Sequence, residues 1–195
     1  MDTTTALVVV DLQNDFCPGG SLAVQGGNEI IPAVNRVIAW FSARGLPIFA
    51  SRDWHPEKTV HFRTFGGPWP PHCVQGTRGA EFHPDLLLPP EVRIVSKGTR
   101  PDSDDYSAFH ALSDDGRPLA DILEGLGVTR IVVCGIATDY CVWETVKEAR
   151  RRGLAVTVLL DGVRGVNVNP GDSERALEEM ASLGAKTATV GELLE

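Results

Sequence analysis

Reactive side chains in this sequence stand just past short apolar runs. Asp11 follows Ala6-Leu7-Val8-Val9-Val10, Asp53 and His55 follow Pro47-Ile48-Phe49-Ala50, and Lys97 follows Val92-Arg93-Ile94-Val95. After Arg130-Ile131-Val132-Val133-Cys134 comes Gly135-Ile136-Ala137-Thr138-Asp139-Tyr140-Cys141. If Thr138 caps a helix, Cys141 lies in its first turn. Free backbone N–H groups and the positive end of the helix dipole stabilise a thiolate there, and the same N–H groups could hold a developing oxyanion. A nucleophilic thiol needs a base. Apart from His55, no histidine lies near the end of a run. Asp11 is therefore the group available to accept the thiol proton, and Lys97 the ammonium that could steady both anions. Each residue also has a plain reading: a buried inert thiol, a turn cap, a solvated lysine. Their joint placement favours chemistry.

A second constellation is the pair Asp53-x-His55 with His61 and His72 in the same stretch, so that three of the five histidines fall within residues 53–72. Two imidazoles and a carboxylate, with open positions left over, suit one divalent transition metal ion, Zn²⁺, Fe²⁺ or Mn²⁺. His83 and His110 read as surface or structural. Phe16, Trp54, Trp69 and Tyr106 flank the polar groups, and aromatics beside convergent polar side chains suit a flat ring ligand.

The elements that must position these groups are legible as alternating patterns. The four runs above, with Ala155-Val156-Thr157-Val158-Leu159 and the weaker Thr187-Ala188-Thr189-Val190, are short and apolar without polar alternation, the pattern of strands buried on both faces of a parallel sheet. Helices are predicted over residues 28–44 with Asn28 as cap and Ile30, Ile31, Val34, Val37, Ile38 and Phe41 as the apolar stripe, and over 119–126, 138–152 and 172–183. The order predicts a single α/β domain spanning 1–195, a three-layer αβα sandwich on a six-stranded parallel sheet. In such sheets ligands bind outside the carboxyl ends of the strands, where the acid, the acid/imidazole pair, the amine and the thiol should meet. Residues 52–90 break the rhythm and are rich in Pro, Gly, His and aromatics; irregular loops that long are usually functional.

Composition narrows the classes. A hydrophobic fraction of 43% and a charged fraction of 23% are those of a soluble globular protein, and no apolar run approaches a membrane span. A net charge of −8 argues against nucleic acid. The one basic cluster, Arg150-Arg151-Arg152, falls where it would complement a helix C-terminus. The first five residues, Met1-Asp2-Thr3-Thr4-Thr5, have no basic segment ahead of an apolar stretch, so no secretory leader is expected. Cys17, Cys73, Cys134 and Cys141 form no C-x-x-C pair and read as reduced thiols of a cytoplasmic protein.

The segments together resemble a known family. Val9-Val10-Asp11-Leu12-Gln13-Asn14-Asp15-Phe16 is similar to the opening of the isochorismatase-like cysteine hydrolases. Asp53-Trp54-His55-Pro56, Trp69-Pro70-Pro71-His72-Cys73-Val74-Gln75-Gly76-Thr77, Lys97-Gly98 and Thr138-Asp139-Tyr140-Cys141-Val142 resemble the nicotinamidases among them, in the expected order. The resemblance implies a catalytic triad of Asp11, Lys97 and Cys141. It implies a non-proline cis peptide at Ile136–Ala137, an oxyanion hole from the Ala137 and Cys141 amides, and a metal held by Asp53, His55 and His72, with His61 as a further ligand in some members. It implies a ring pocket lined by Phe16, Trp69, Tyr106 and Ile136, and hydrolysis of nicotinamide, with pyrazinamide also accepted, in NAD salvage. It allows a homo-oligomer. The segment 99–105 is polar and acidic and departs from the pattern. Relatives acting on carbamoyl or ureido compounds are the alternative within the family. Outside it stands a non-catalytic flavodoxin-like binding module with a structural metal.

Overall fold

The computed structural model describes residues 5–195; residues 1–4, most of the stretch on which the leader expectation rested, lie outside the described residues. Seven strands form one sheet in the order β4-β3-β2-β1-β5-β6-β7: β1 (Thr5–Val10), β2 (Ile48–Asp53), β3 (Arg93–Lys97), β4 (Leu112–Ser113), β5 (Arg130–Ile136), β6 (Ala155–Arg164) and β7 (Lys186–Ala188). Six are mutually parallel. The expected six-stranded sheet gains a seventh member, β4, which pairs antiparallel with β3 at the edge. A two-residue ladder has no periodicity to read, so no sequence pattern announced it.

The helices are α1 (Ile31–Ser42), α2 (Leu119–Gly125), α3 (Trp143–Arg151), α4 (Asp172–Ser182) and α5 (Val190–Leu194). All six residues of the predicted α1 stripe are buried. The helix itself starts three residues later than Asn28, after a 3₁₀ turn over Gly27–Ile30 and with a proline in its first turn instead of a side-chain cap. Val190, expected to close a strand, instead begins α5. Thr189 and Glu192 form a reciprocal capping box there, and the Thr-x-x-Glu spacing that specifies it was present in the sequence.

Strand β1 shows why the sheet is the centre of the molecule. Ala6, Val8 and Val10 point into the layer formed with α2, α3 and α4, while Leu7 and Val9 point into the layer with α1 and α5. Both faces are dry, so alternation of polar and apolar residues is absent. Arg150 binds the carbonyls of Leu183 and Leu154, and Arg152 pairs with Glu148, so two residues of the basic cluster are held in local structure. Among the described residues no helix is long and apolar enough to cross a membrane.

Candidate active site

Strand register brings the reactive residues together. Asp53 and Lys97 are the last residues of β2 and β3 and are direct partners across the ladder. Val10, the last residue of β1, pairs with Ser51 of β2 on one side and Gly135 of β5 on the other. Asp11 and the segment carrying Cys141 therefore emerge beside one another. Gly135 (φ 118°) is required there, because a Cβ would run into the Val10 carbonyl.

Lys97 is the hub of the site. Its Nζ lies 2.9 Å from Asp11 Oδ2 and 3.5 Å from Cys141 Sγ, and it donates to Asp53 Oδ1. All four residues are buried, Lys97 with only 1% of its surface exposed. Asp11 occupies the left-handed region (φ 48°), uncommon for a side chain bearing a Cβ, and Ser51 Oγ donates to its Oδ1 at 2.7 Å. Donor-type atoms of Asp11, Asp53 and Cys141 all fall within 4.8 Å of one another.

The electrostatics follow from burial. Desolvation opposes charge on Lys97, but the Asp11 and Asp53 carboxylates outweigh it and hold the ammonium well above its ordinary range. Burial also tends to raise Asp53, yet the Lys97 ammonium outweighs it and keeps Asp53 ionised, well below the usual carboxylate range. The Cys141 thiol is pushed well up, chiefly by burial; Lys97 pulls it back, and the Asp11 and Asp53 carboxylates add to the rise. Asp11 is raised as well, again by burial. Burial thus favours the thiol form of Cys141 and leaves its proton to be taken by a neighbouring base. Thr138 makes no side-chain cap, and residues Thr138–Val142 form a π-helical turn ahead of α3 in which Tyr140 and Val142 donate to the Ala137 carbonyl. What the geometry does supply is a carboxyl and a thiol, both raised, beside one fixed cation; a raised carboxylate is the stronger base toward the thiol.

The second cluster lies alongside. Donor-type nitrogens of His55, His61 and His72 fall within 4.8 Å of one another, and all three residues are buried. Asp53 Oδ2 is 3.6 Å from His55 Nε2 and 3.9 Å from His72 Nε2, so this one carboxylate faces Lys97 with one oxygen and the imidazoles with the other. His55 Nδ1 donates to the Gly98 carbonyl at 3.1 Å and His72 Nδ1 to the Pro70 carbonyl at 2.8 Å. A carbonyl can only accept, which fixes both tautomers and leaves each Nε2 with a lone pair facing inward. His55 Nε2 is buried with no hydrogen-bond partner. Burial lowers His72 to about 4 and also lowers His61, favouring the neutral, ligating form of each. Inward-facing imidazole lone pairs, one of them orphaned at His55 Nε2, outward N–H groups that are satisfied, and one carboxylate are what a four-coordinate N/O site for a divalent transition metal requires.

Cys141, Ala137 and Ile136 share a pocket with Phe16, Trp69, Tyr106, His72 and Asp53. Trp69 Nε1 donates to the Tyr106 hydroxyl at 2.8 Å, and Trp69 meets the Tyr140 ring edge-on at 5.0 Å between centroids. The Ile136–Ala137 peptide is cis. The sequence-predicted site residues other than Trp54 converge. Trp54 does not line the pocket; its ring lies under the Arg52 guanidinium, 3.9 Å away. His83 and His110 stand outside, near Asp85 and Asp105 respectively. The cysteines are all free and buried.

Supporting residues went unremarked in the sequence. Gln13 brackets the Asp53 backbone, accepting from its N–H and donating to its carbonyl, both at 2.7 Å, and also donates to the Ala80 carbonyl at 2.9 Å. Asp15 accepts from the Cys73 N–H at 2.7 Å and so anchors the residue after His72. Tyr140 lines the pocket. A buried glutamine and aspartate beside a strand end were the available signal, without indication of their partners.

The Isochorismatase domain model matches residues 5–192. The chain belongs to the isochorismatase family. Among relatives of this isochorismatase-family chain, Escherichia coli nicotinamidase is 41% identical, covering 96% of the chain and 95% of the relative. The crystal structure of Pyrococcus horikoshii pyrazinamidase in complex with zinc is 50% identical with a TM-score of 0.88, covering 95% of this chain and 99% of that one. A protein from L. infantum in complex with nicotinate is 36% identical with a TM-score of 0.86, covering 98% and 96%.

Proposed function

We propose that this chain is a nicotinamidase that hydrolyses nicotinamide to nicotinate and ammonia through a thioester on Cys141, and that it also accepts pyrazinamide. The single observation that carries the reading is Lys97 Nζ set between Asp11, Asp53 and Cys141, with three imidazoles on the far side of Asp53. Asp11 takes the thiol proton as Cys141 Sγ attacks the carboxamide carbon. Lys97 holds the charges of the pair. The Ala137 and Cys141 N–H groups receive the oxyanion, an interaction worth roughly 3–4 kcal/mol per donor. Asp11 returns its proton to the departing nitrogen, ammonia leaves, and a thioester remains. Water, deprotonated by Asp11, cleaves the thioester and frees nicotinate with the thiol restored.

Asp53, His55, His72 and His61 would hold the metal, Zn²⁺, Fe²⁺ or Mn²⁺, within the metal-binding loop region of residues 52–90. When bound, such an ion offers a Lewis-acid anchor for the nitrogen of a pyridine or pyrazine ring. Phe16, Trp69, Tyr106 and Ile136 supply the apolar walls for that ring, and their packing keeps bulk water from the thioester. The imidazole cluster favours a ring amide over a carbamoyl or ureido substrate, which has no ring nitrogen to anchor. The reading includes a place in NAD salvage in the cytoplasm, in keeping with four thiols that form no disulfide.

Ammonia release from nicotinamide is the direct test. Wild-type protein should turn over nicotinamide and pyrazinamide, and Cys141→Ala should lose activity by at least 10³-fold, the scale on which removal of a nucleophile acts. Chelation should suppress turnover and added metal restore it. Undiminished release by Cys141→Ala would refute the scheme, and activity unaffected by complete metal removal would favour the carbamoyl and ureido alternative.

A further inference from the structure

The three imidazoles of the cluster are backed differently. His55 and His72 donate to neutral backbone carbonyls, of Gly98 and Pro70. His61 Nδ1 instead donates to a carboxylate, Asp104 Oδ1. Asp104 lies in the polar, acidic segment 99–105. That segment touches the His61 turn a second time, since the Val60 N–H donates to the Pro101 carbonyl at 2.9 Å. His61 is 3% exposed and stacks on His55 with centroids 4.5 Å apart, whereas the Asp104 side chain is 38% exposed and open to water on its other side.

A carboxylate can only accept, so the proton sits on His61 Nδ1 and the Nε2 lone pair turns toward the cluster. A carboxylate also makes the imidazole more basic and more electron-donating than a carbonyl does. We propose that Asp104 is a positioning residue that orients and polarises His61 as a fourth metal ligand beside Asp53, His55 and His72, so that the acidic segment completes the metal site from outside. The inference rests on the metal-site reading above and deepens it. The segment thereby supplies the anion that backs His61.

Metal binding, not turnover, tests it. The protein is stripped by chelation and titrated with Zn²⁺ against a chromophoric chelator, and separately loaded with Co²⁺ to record its visible spectrum, whose intensity follows coordination number. Asp104→Asn keeps shape and hydrogen-bonding capacity but removes the charge; it should weaken Zn²⁺ affinity about 10- to 100-fold, the usual effect of losing such a partner, and change the Co²⁺ spectrum. Asp102→Asn removes the same charge from an exposed neighbour and should leave both unchanged. His61→Ala combined with Asp104→Asn should bind no more weakly than His61→Ala alone, because Asp104, whose other partner is the Tyr106 hydroxyl, reaches the metal only through the imidazole. If His61→Ala weakens binding and Asp104→Asn does not, the role of Asp104 is overturned while the four-ligand site stands. If His61→Ala leaves affinity and spectrum unaltered, His61 is no ligand and the proposal falls with it. If wild-type protein takes up no Zn²⁺ or Co²⁺, the metal reading itself fails. Thermal melts of each metal-free variant, matching wild type, exclude a folding defect.

Discussion

The most consequential single residue is Lys97. A buried lysine is ordinarily an uncompensated charge that loses its proton; here Asp11 and Asp53 flank it and keep it an ammonium. Replacing it with Met would fit the space but leave two carboxylates without a cation. Removing one partner of a buried ionic group typically costs about 3–5 kcal/mol. Lys97→Met should therefore lower the denaturant midpoint by a corresponding amount and abolish ammonia release, while Cys141→Ala, which removes no charge from the resting site, should leave the midpoint nearly unchanged. A Lys97→Met midpoint equal to wild type would contradict the network. Asp53 matters for a different reason: its two oxygens serve two clusters, so no substitution at this position isolates the metal role from the Lys97 contact.

At the scale of elements, the nucleophile depends on how α3 begins. A straightforward α-helix from Thr138 would present its first-turn amides; the π-helical turn over Thr138–Val142 re-aims Cys141 toward Lys97. Thr145 fixes that turn from within. Its hydroxyl donates to the Cys141 carbonyl at 2.6 Å and accepts from the Ala108 N–H at 2.9 Å, joining the start of α3 to the segment that follows Tyr106. Thr145 is fully buried. Thr145→Val keeps the shape and strands the Ala108 N–H, which should destabilise by about 1–3 kcal/mol and lower kcat more than KM, since Cys141 moves while the aromatic walls remain. Denaturant unfolding with steady-state kinetics checks both, and unchanged stability with unchanged kcat would remove Thr145 from the account.

For the whole molecule, packing the imidazoles inside makes the fold acid-sensitive. Burial places His72 at about 4 against an ordinary 6.5. Because the folded value is depressed, the unfolded chain binds a proton that the folded chain refuses between those two limits. Stability from this source is fully present above pH 6.5 and is lost as pH falls toward 4. His61, lowered by burial as well, acts in the same direction. The urea midpoint of metal-free protein should decline across this window, and His72→Gln should show a shallower decline. Parallel curves for the two proteins would show that His72 is not the titrating group. With metal bound, protons and metal compete for the same lone pairs, so the holoprotein should hold its midpoint to lower pH.

Much of this was written in the chain. Six strands, four helices, the buried stripe of α1 and the residues standing past each strand end are local patterns, set by apolar periodicity and by the side chains that follow it. Order of elements then requires a parallel sheet, and a parallel sheet gathers Asp11, Asp53, Lys97 and Cys141 at one edge. Tertiary structure decided what no local pattern carries: the antiparallel β4, the grip of Gln13 on Asp53 and the reach of Asp104 to His61, all contacts between residues far apart in sequence, and the π-helical opening of α3, which Thr145 ties to the distant Ala108. It also decided protonation. A helix start by itself argues for a thiolate at Cys141, but a pKa depends on how much water and which charges surround a group, and only the folded chain, by closing the site around three carboxyl and thiol groups and one ammonium, pushes the Cys141 thiol upward.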